Sequence, residues 1–476
     1  MERKSGVLMH VSSLWGDYKI GSFGKEAREF IDFIKSCGFS IWQVLPFCLP
    51  DDCNSPYKSF GAFSGNFYFI DLPTLYEKGL ITKDELLSQK QTSPYLCEFI
   101  SLKKDRFSLL ETASKRFKDI DKMSVFYKEN PQIYNFCKFM ALKKANGNLP
   151  FNLWKVFTPD KNALFTWQFI EYEFFTQLLG LKEYANSKGV KIVGDMPIYV
   201  DYDSADVYFN KGEFLLDKNY FPKLIAGVPP DYFSKDGQLW GNPLYDFKKM
   251  EENGFSWWTE RLTFYKKFFD GVRIDHFRAF CDFYAIKPTE TTAKNGKWKK
   301  GPKMKLINAF NKIKGDLFII AEDLGDITSD VHKLVQNSKY PGMRVLQFGF
   351  TGENSIHLPH NYNKNTVAYT GTHDNNTLLG FMWELTDVER KKVTDYFGID
   401  YDKWDSSYDE IIRQILMSSS NTVIFPIQDL LKYGADTRMN VPGRADGNWA
   451  FRIRKESLES IDCNKLKNYN EIYHRN

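Results

Sequence analysis

The sequence predicts an α/β fold, a (β/α)₈ TIM barrel with helical insertions, on three observations. Eight short apolar runs punctuate the chain, helical stretches lie between many of them, and several runs end abruptly in an acid. The runs are Val7–Val11, Ile41–Pro46, Lys191–Gly194, Gly271–Ile274, Leu317–Ala321, Arg344–Phe348, Thr366–Tyr369 and Thr422–Pro426. None alternates cleanly between polar and apolar residues, as expected of parallel strands covered on both faces.

The connections follow in order. Lys25–Ser36 carries Ala27, Phe30, Ile31 and Ile34 at helical spacing and meets Gly38 as a stop. Phe169–Lys188 precedes the third run and Lys303–Lys314 the fifth. Two connections are too long for simple crossovers: 48–190, between strands 2 and 3, is mostly helical in pattern, and 201–270, between strands 3 and 4, mixes Gly, Pro and aromatics. Both leave from the strand C-terminal face, where barrel enzymes build their sites from loops. At roughly 150 residues per domain, 476 residues suggest about three domains or one large barrel with insertions. With no fixed-period repeat or low-complexity linker, residues 1–476 read as one barrel.

Composition narrows the function classes. The net charge is +4 over the whole length, which gives no electrostatic case for nucleic acid or an anionic membrane. Aromatics reach 16%, fitting either a large core or a site for flat, uncharged ligands such as sugars. The apolar stretch before His10 is too short for a signal peptide, and no window offers the ~20 apolar residues of a membrane helix. Seven scattered cysteines without a CxxC pair suit a reducing cytosol, with no disulfide framework and no zinc site. Cytoplasmic is the expected location.

Four segments place acids directly after apolar runs: Asp195, Asp275, the Glu322-Asp323 pair and Asp374. An acid in that position lands on the catalytic rim of a barrel. Any one alone is more often a helix cap; four from different strands are not explained by capping. Asp275 is the nucleophile candidate. Arg273, two residues earlier, points to the same side of the strand and is expected to hold that carboxylate ionised with a lowered pKa. Glu322 follows a wholly apolar run, so burial favours its protonated form and a general-acid role. Asp374, beside His373, is the third acid, suited with it to grip adjacent sugar hydroxyls. His276 could donate to another. Paired carboxyl groups flanking a scissile bond are the apparatus of glycoside chemistry.

The blocks Gly194-Asp195-Met196-Pro197-Ile198-Tyr199-Val200, Gly271-Val272-Arg273-Ile274-Asp275-His276, Ala321-Glu322-Asp323-Leu324-Gly325 and Gly371-Thr372-His373-Asp374-Asn375 resemble the 4-α-glucanotransferases (amylomaltases, or disproportionating enzymes), a branch of the α-amylase superfamily. So do Ser55-Pro56-Tyr57, Val228-Pro229-Pro230-Asp231-Tyr232-Phe233, Trp240-Gly241-Asn242-Pro243-Leu244-Tyr245 and Arg438-Met439-Asn440, and the likeness runs nearly end to end. Val11, Asn376 and Phe381 stand where that family more often has Pro, Asp and Trp.

The resemblance implies Asp275 as nucleophile, Glu322 as acid/base, Asp374 as transition-state stabiliser and Arg273 as support for Asp275. It assigns substrate binding to Tyr57, Gln238, Trp240, His276 and His373, with Tyr232 and Phe233 on a loop over the cleft. Asp195 joins that group as a supporting acid. It implies an α-1,4-glucan donor, a glucose or maltodextrin acceptor, and no metal or organic cofactor, and it leaves the oligomeric state open. The competing readings are an α-amylase-type hydrolase and a glucan-binding barrel without catalysis.

Overall fold

The computed structural model describes residues 2–50, 53–230, 235–350, 355–405, 407–444 and 446–475. Twelve strands are assigned among them: β1 Lys4–Leu8, β2 Ile41–Gln43, β3 Lys191–Met196, β4 Ile225–Val228, β5 Gln238–Pro243, β6 Gly271–Ile274, β7 Asp282–Ile286, β8 Lys297–Lys300, β9 Phe318–Ala321, β10 Gly342–Val345, β11 Thr366–Tyr369 and β12 Thr422–Pro426.

Eight of them close a parallel barrel in the order β1-β12-β11-β10-β9-β6-β3-β2, one from each apolar run of the sequence. Most are buried along their whole length, which is why they read as unbroken apolar runs rather than alternations. Boundaries move by a few residues. β1 runs from Lys4 and stops at Leu8, ahead of a 3-10 turn at Val11–Ser13, and β10 stops at Val345 because Leu346–Phe350 is another. Gly6 lets β1 approach β2 closely: a Cβ there would stand 2.5 Å from that of Ile41. The Tyr369 hydroxyl donates to Gln43 Oε1 at 2.8 Å, linking two strands that are not barrel neighbours.

The first crossover helix, Lys25–Ser36, lies where the periodicity puts it and buries Ala27, Phe30, Ile31 and Ile34. Segment 48–190 contains the helices Leu72–Glu77, Lys83–Leu87, Phe99–Ser114, Ile120–Glu129, Pro131–Ala145 and Lys161–Ser187. The last begins at an Asp160 cap, whose carboxylate accepts from Ala163 N at 2.8 Å, eight residues before the expected start. Segment 201–270 contributes β4 and β5 to a second, antiparallel sheet, β5-β4-β7-β8. Its other two strands lie between β6 and β9, a third excursion that the sequence reading did not anticipate.

Cysteine spacing misled. Cys37, at the end of the first crossover helix, and Cys463, opening the helix Cys463–Ile472, form a disulfide across 426 residues of sequence. Such a pair has no local spacing signature, so the expectation of no disulfide is corrected. No helix among the described residues is long and apolar enough to cross a membrane.

Candidate active site

Asp195, Arg273, Asp275 and Glu322 arrive on three adjacent barrel strands, β3, β6 and β9, and meet around one guanidinium. Arg273 Nη1 donates to Asp195 Oδ1 at 3.0 Å and Oδ2 at 2.9 Å, and to Asp275 Oδ1 at 2.9 Å. Its Nη2 lies 4.0 Å from Glu322 Oε2. Burial opposes charge on Arg273, but Asp195 and Asp275 outweigh it and hold the guanidinium well above its usual range.

Asp195 is completely buried, its Oδ2 also accepting from the Tyr57 hydroxyl at 2.8 Å. It thus lies beneath Arg273 and Tyr57, outside the lining of the cleft. Asp275 keeps 29% of its side chain open to the cleft. Even so, burial outweighs Arg273 and raises its carboxyl above the ordinary range, the reverse of the expected depression. The sequence showed the neighbouring cation but not the thickness of protein around the pair.

Glu322 is 9% exposed, and its oxygens accept from His276 N at 2.6 Å and Leu324 N at 2.7 Å. Burial pushes it up to about 7; Arg273 and those two N–H groups oppose the shift while Asp275 adds to it. The neighbouring Asp323 is no helix cap: it accepts from Met343 N at 2.6 Å and faces Arg344 at 3.4 Å. His276 adopts φ 46°, in the left-handed region, and this turn aims its N–H at Glu322. Burial lowers its imidazole to about 3, so it is neutral near pH 7.

The open cleft has a volume of about 450 Å³ and is lined by Tyr57, Gln238, Trp240, Asp275, His373 and Asp374, among others. Tyr57 stacks on His373 with centroids 5.1 Å apart, and His373 Nε2 lies 3.4 Å from Asp374 Oδ2. Trp240 meets His276 edge-on at 4.9 Å, and its indole N–H donates to Gln238 Oε1 at 3.1 Å. Glu322 and Arg273 are buried beside this lining, and the partly exposed His276 adjoins it through Trp240. Tyr232 and Phe233 lie outside the described residues.

Three partners were not singled out from sequence. Asn440 Nδ2 donates to Asp374 Oδ1 at 2.6 Å, Arg438 reaches the Asp374 carbonyl at 3.2 Å, and Trp449 packs 6.0 Å from His373. Arg438 and Asn440 stand in one of the motif blocks quoted above, which was the available signal. Among the described residues no group of three or more His, Cys, Asp or Glu is arranged to hold a metal ion.

Comparison with known proteins places this geometry. A family model described as 4-alpha-glucanotransferase matches residues 9–458. A 4-alpha-glucanotransferase of Clostridium butyricum is 39% identical, the alignment covering 98% of this chain and all of that one. One from Aquifex aeolicus is 40% identical over 95% of this chain and 96% of its own. Among solved structures, an amylomaltase from Streptococcus agalactiae in complex with acarbose superposes with a TM-score of 0.94 at 38% identity, with both chains covered completely.

Proposed function

This chain belongs to the 4-α-glucanotransferase family, a family of transferases, and on that premise we propose that it moves a segment of an α-1,4-glucan onto the 4-hydroxyl of glucose or another maltodextrin by retaining double displacement. The observation that carries the reading is the single guanidinium shared by Asp275 and Glu322. It fixes Asp275 by Oδ1 at 2.9 Å and stands only 4.0 Å from an acid whose pKa is pushed up to about 7.

Asp275 Oδ2, unengaged by Arg273, attacks the anomeric carbon while Glu322 protonates the departing glycosidic oxygen. A β-linked glucosyl–Asp275 ester results. Glu322, now a carboxylate, takes the proton from an incoming 4-hydroxyl, whose oxygen displaces Asp275 and restores the α linkage. Asp275 and Asp374 flank the oxocarbenium-like transition state and offset its positive charge. To reach the leaving oxygen, Glu322 swings out of its bonds to His276 N and Leu324 N when substrate fills the cleft. Tyr57 and His373, stacked ring on ring, both line the cleft that a sugar ring would enter, and Asn440 orients Asp374.

Transfer prevails over hydrolysis when a bound acceptor out-competes water, and positioning can supply effective molarities of ~10⁵ M or more. Trp240, Tyr57 and the 231–234 segment carrying Tyr232 and Phe233 are the residues we assign to excluding solvent. The whole chain, including 48–190 and 201–270, serves one barrel, and its proposed location is the cytoplasm. Incubation with maltotriose alone tests the reading. A ladder of longer maltodextrins plus glucose, at constant reducing-end number, is expected. Rising reducing ends with only short products would replace it with an α-amylase-type hydrolase, and no turnover with intact glucan binding would leave a non-catalytic binder.

A further inference from the structure

Outside the cleft, two aromatic residues are held in the open by a turn built to hold them. Tyr220 and Phe221 are each 48% exposed. Tyr220 takes φ 65°, a left-handed conformation that a bulky residue rarely adopts without support. The support is Asp217: its carboxylate accepts from Asn219 N at 2.8 Å and Phe221 N at 2.9 Å, its carbonyl from Tyr220 N at 3.1 Å, and its own N–H donates to Phe221 O at 2.8 Å. From below, the Lys211 ammonium lies 5.2 Å from the Tyr220 ring and 4.2 Å from that of Tyr208. Backbone strain, a cradle of hydrogen bonds and a buttressing cation all hold two rings that stay about half exposed.

This turn is joined to the cleft by a short run of contacts. Lys58, in the cleft lining, lies 3.9 Å from Asp201. The next residue, Tyr202, packs at 5.0 Å on Phe151, and the Lys211 that braces Tyr220 also stands 5.5 Å from Phe151. We infer that Tyr220 and Phe221 form an outlying platform for an α-1,4-glucan whose other end occupies the cleft, so that long chains are held at two places and short ones at one. The inference rests on the glucan-acting reading above. Flat exposed rings beside hydrogen-bonding neighbours match the apolar face and hydroxyl rim of a glucose unit. Two rings offer far less than the ~800 Å² per partner of a stable protein interface. A second attachment point acts through effective concentration and so discriminates by chain length.

The test compares wild type with the double variant Tyr220→Ala, Phe221→Ala on maltotriose and on long amylose. The expected result is a KM for amylose raised at least fivefold, with kcat and all maltotriose parameters within twofold of wild type. Unchanged amylose kinetics, or equal losses on both substrates, would overturn the platform. So would a wild-type dimer that the double variant dissolves, which would make this face a contact between copies. Amylose binding to Glu322→Gln, with and without the double substitution, keeps the question separate from the reaction: weaker binding in the combined variant supports the platform even if maltotriose proves not to be a substrate, and equal binding refutes it.

Discussion

Arg273 grips Asp275, a residue of the cleft lining, by one carboxylate oxygen, Oδ1 at 2.9 Å. The same nitrogen also contacts both oxygens of Asp195, so a buried acid fixes the cation that orients the proposed nucleophile. Removing Arg273 would strip both acids of their cationic partner, leaving Asp195 only the Tyr57 hydroxyl. Arg273→Ala is expected to lower kcat/KM by at least about 10². It should also cost about 3–5 kcal/mol of stability, because Asp195 is left as an unpaired buried charge. Thermal unfolding and maltotriose kinetics measure the two effects separately.

Glu322, raised to about 7, sets a pH limit. The first step needs its protonated form, so kcat/KM should fall tenfold per pH unit above about 7. Its folded-state pKa lies above the ordinary 4.5, so the stability it contributes is fully present below about 4.5 and is lost as pH rises through about 7. A pH–rate profile lacking a limb near 7 would show that another group is the acid.

Asn440 should matter for rate and little for folding. Its bond to Asp374 lies in the solvent-exposed cleft, so losing it should cost folding little, while in the proposed mechanism it orients the acid beside the transition state. Asn440→Ala is therefore expected to reduce kcat roughly 10–100-fold while leaving the melting temperature nearly unchanged. Steady-state kinetics beside a melting curve decides it.

The disulfide between Cys37 and Cys463 ties the first crossover helix to the last helix. Non-reducing peptide mapping of air-oxidised protein should recover the two cysteines in one cross-linked species. Cys37→Ser should destabilise the oxidised protein by about 2–4 kcal/mol without changing kcat, since the bridge touches no residue of the cleft.

The barrel was legible because burial on both faces writes each strand as a short apolar run, and its acids because Asp195, Asp275 and Glu322 sit at the ends of those runs and Asp374 lies a few residues past one. The second sheet was not. β8 is Lys297-Trp298-Lys299-Lys300, exposed along its whole length, and β5 is largely open as well. Neither carries an apolar signal. At the site, Arg273 beside Asp275 followed from the two-residue period of a strand. The direction of the Asp275 shift did not, because desolvation depends on what surrounds the pair in space. Asn440 escaped for a related reason: it reaches Asp374 from 66 residues away, and only folding joins them.

The central claim is a covalent bond to Asp275, and trapping it is the most direct test. In Glu322→Gln, an α-maltosyl fluoride needs no acid to leave, so the first step proceeds while the second lacks its base. Mass spectrometry of the quenched protein should then find one maltosyl unit on the peptide that contains Asp275. An unmodified Asp275 peptide after the fluoride has been consumed, or the sugar on Asp374 instead, would contradict the account.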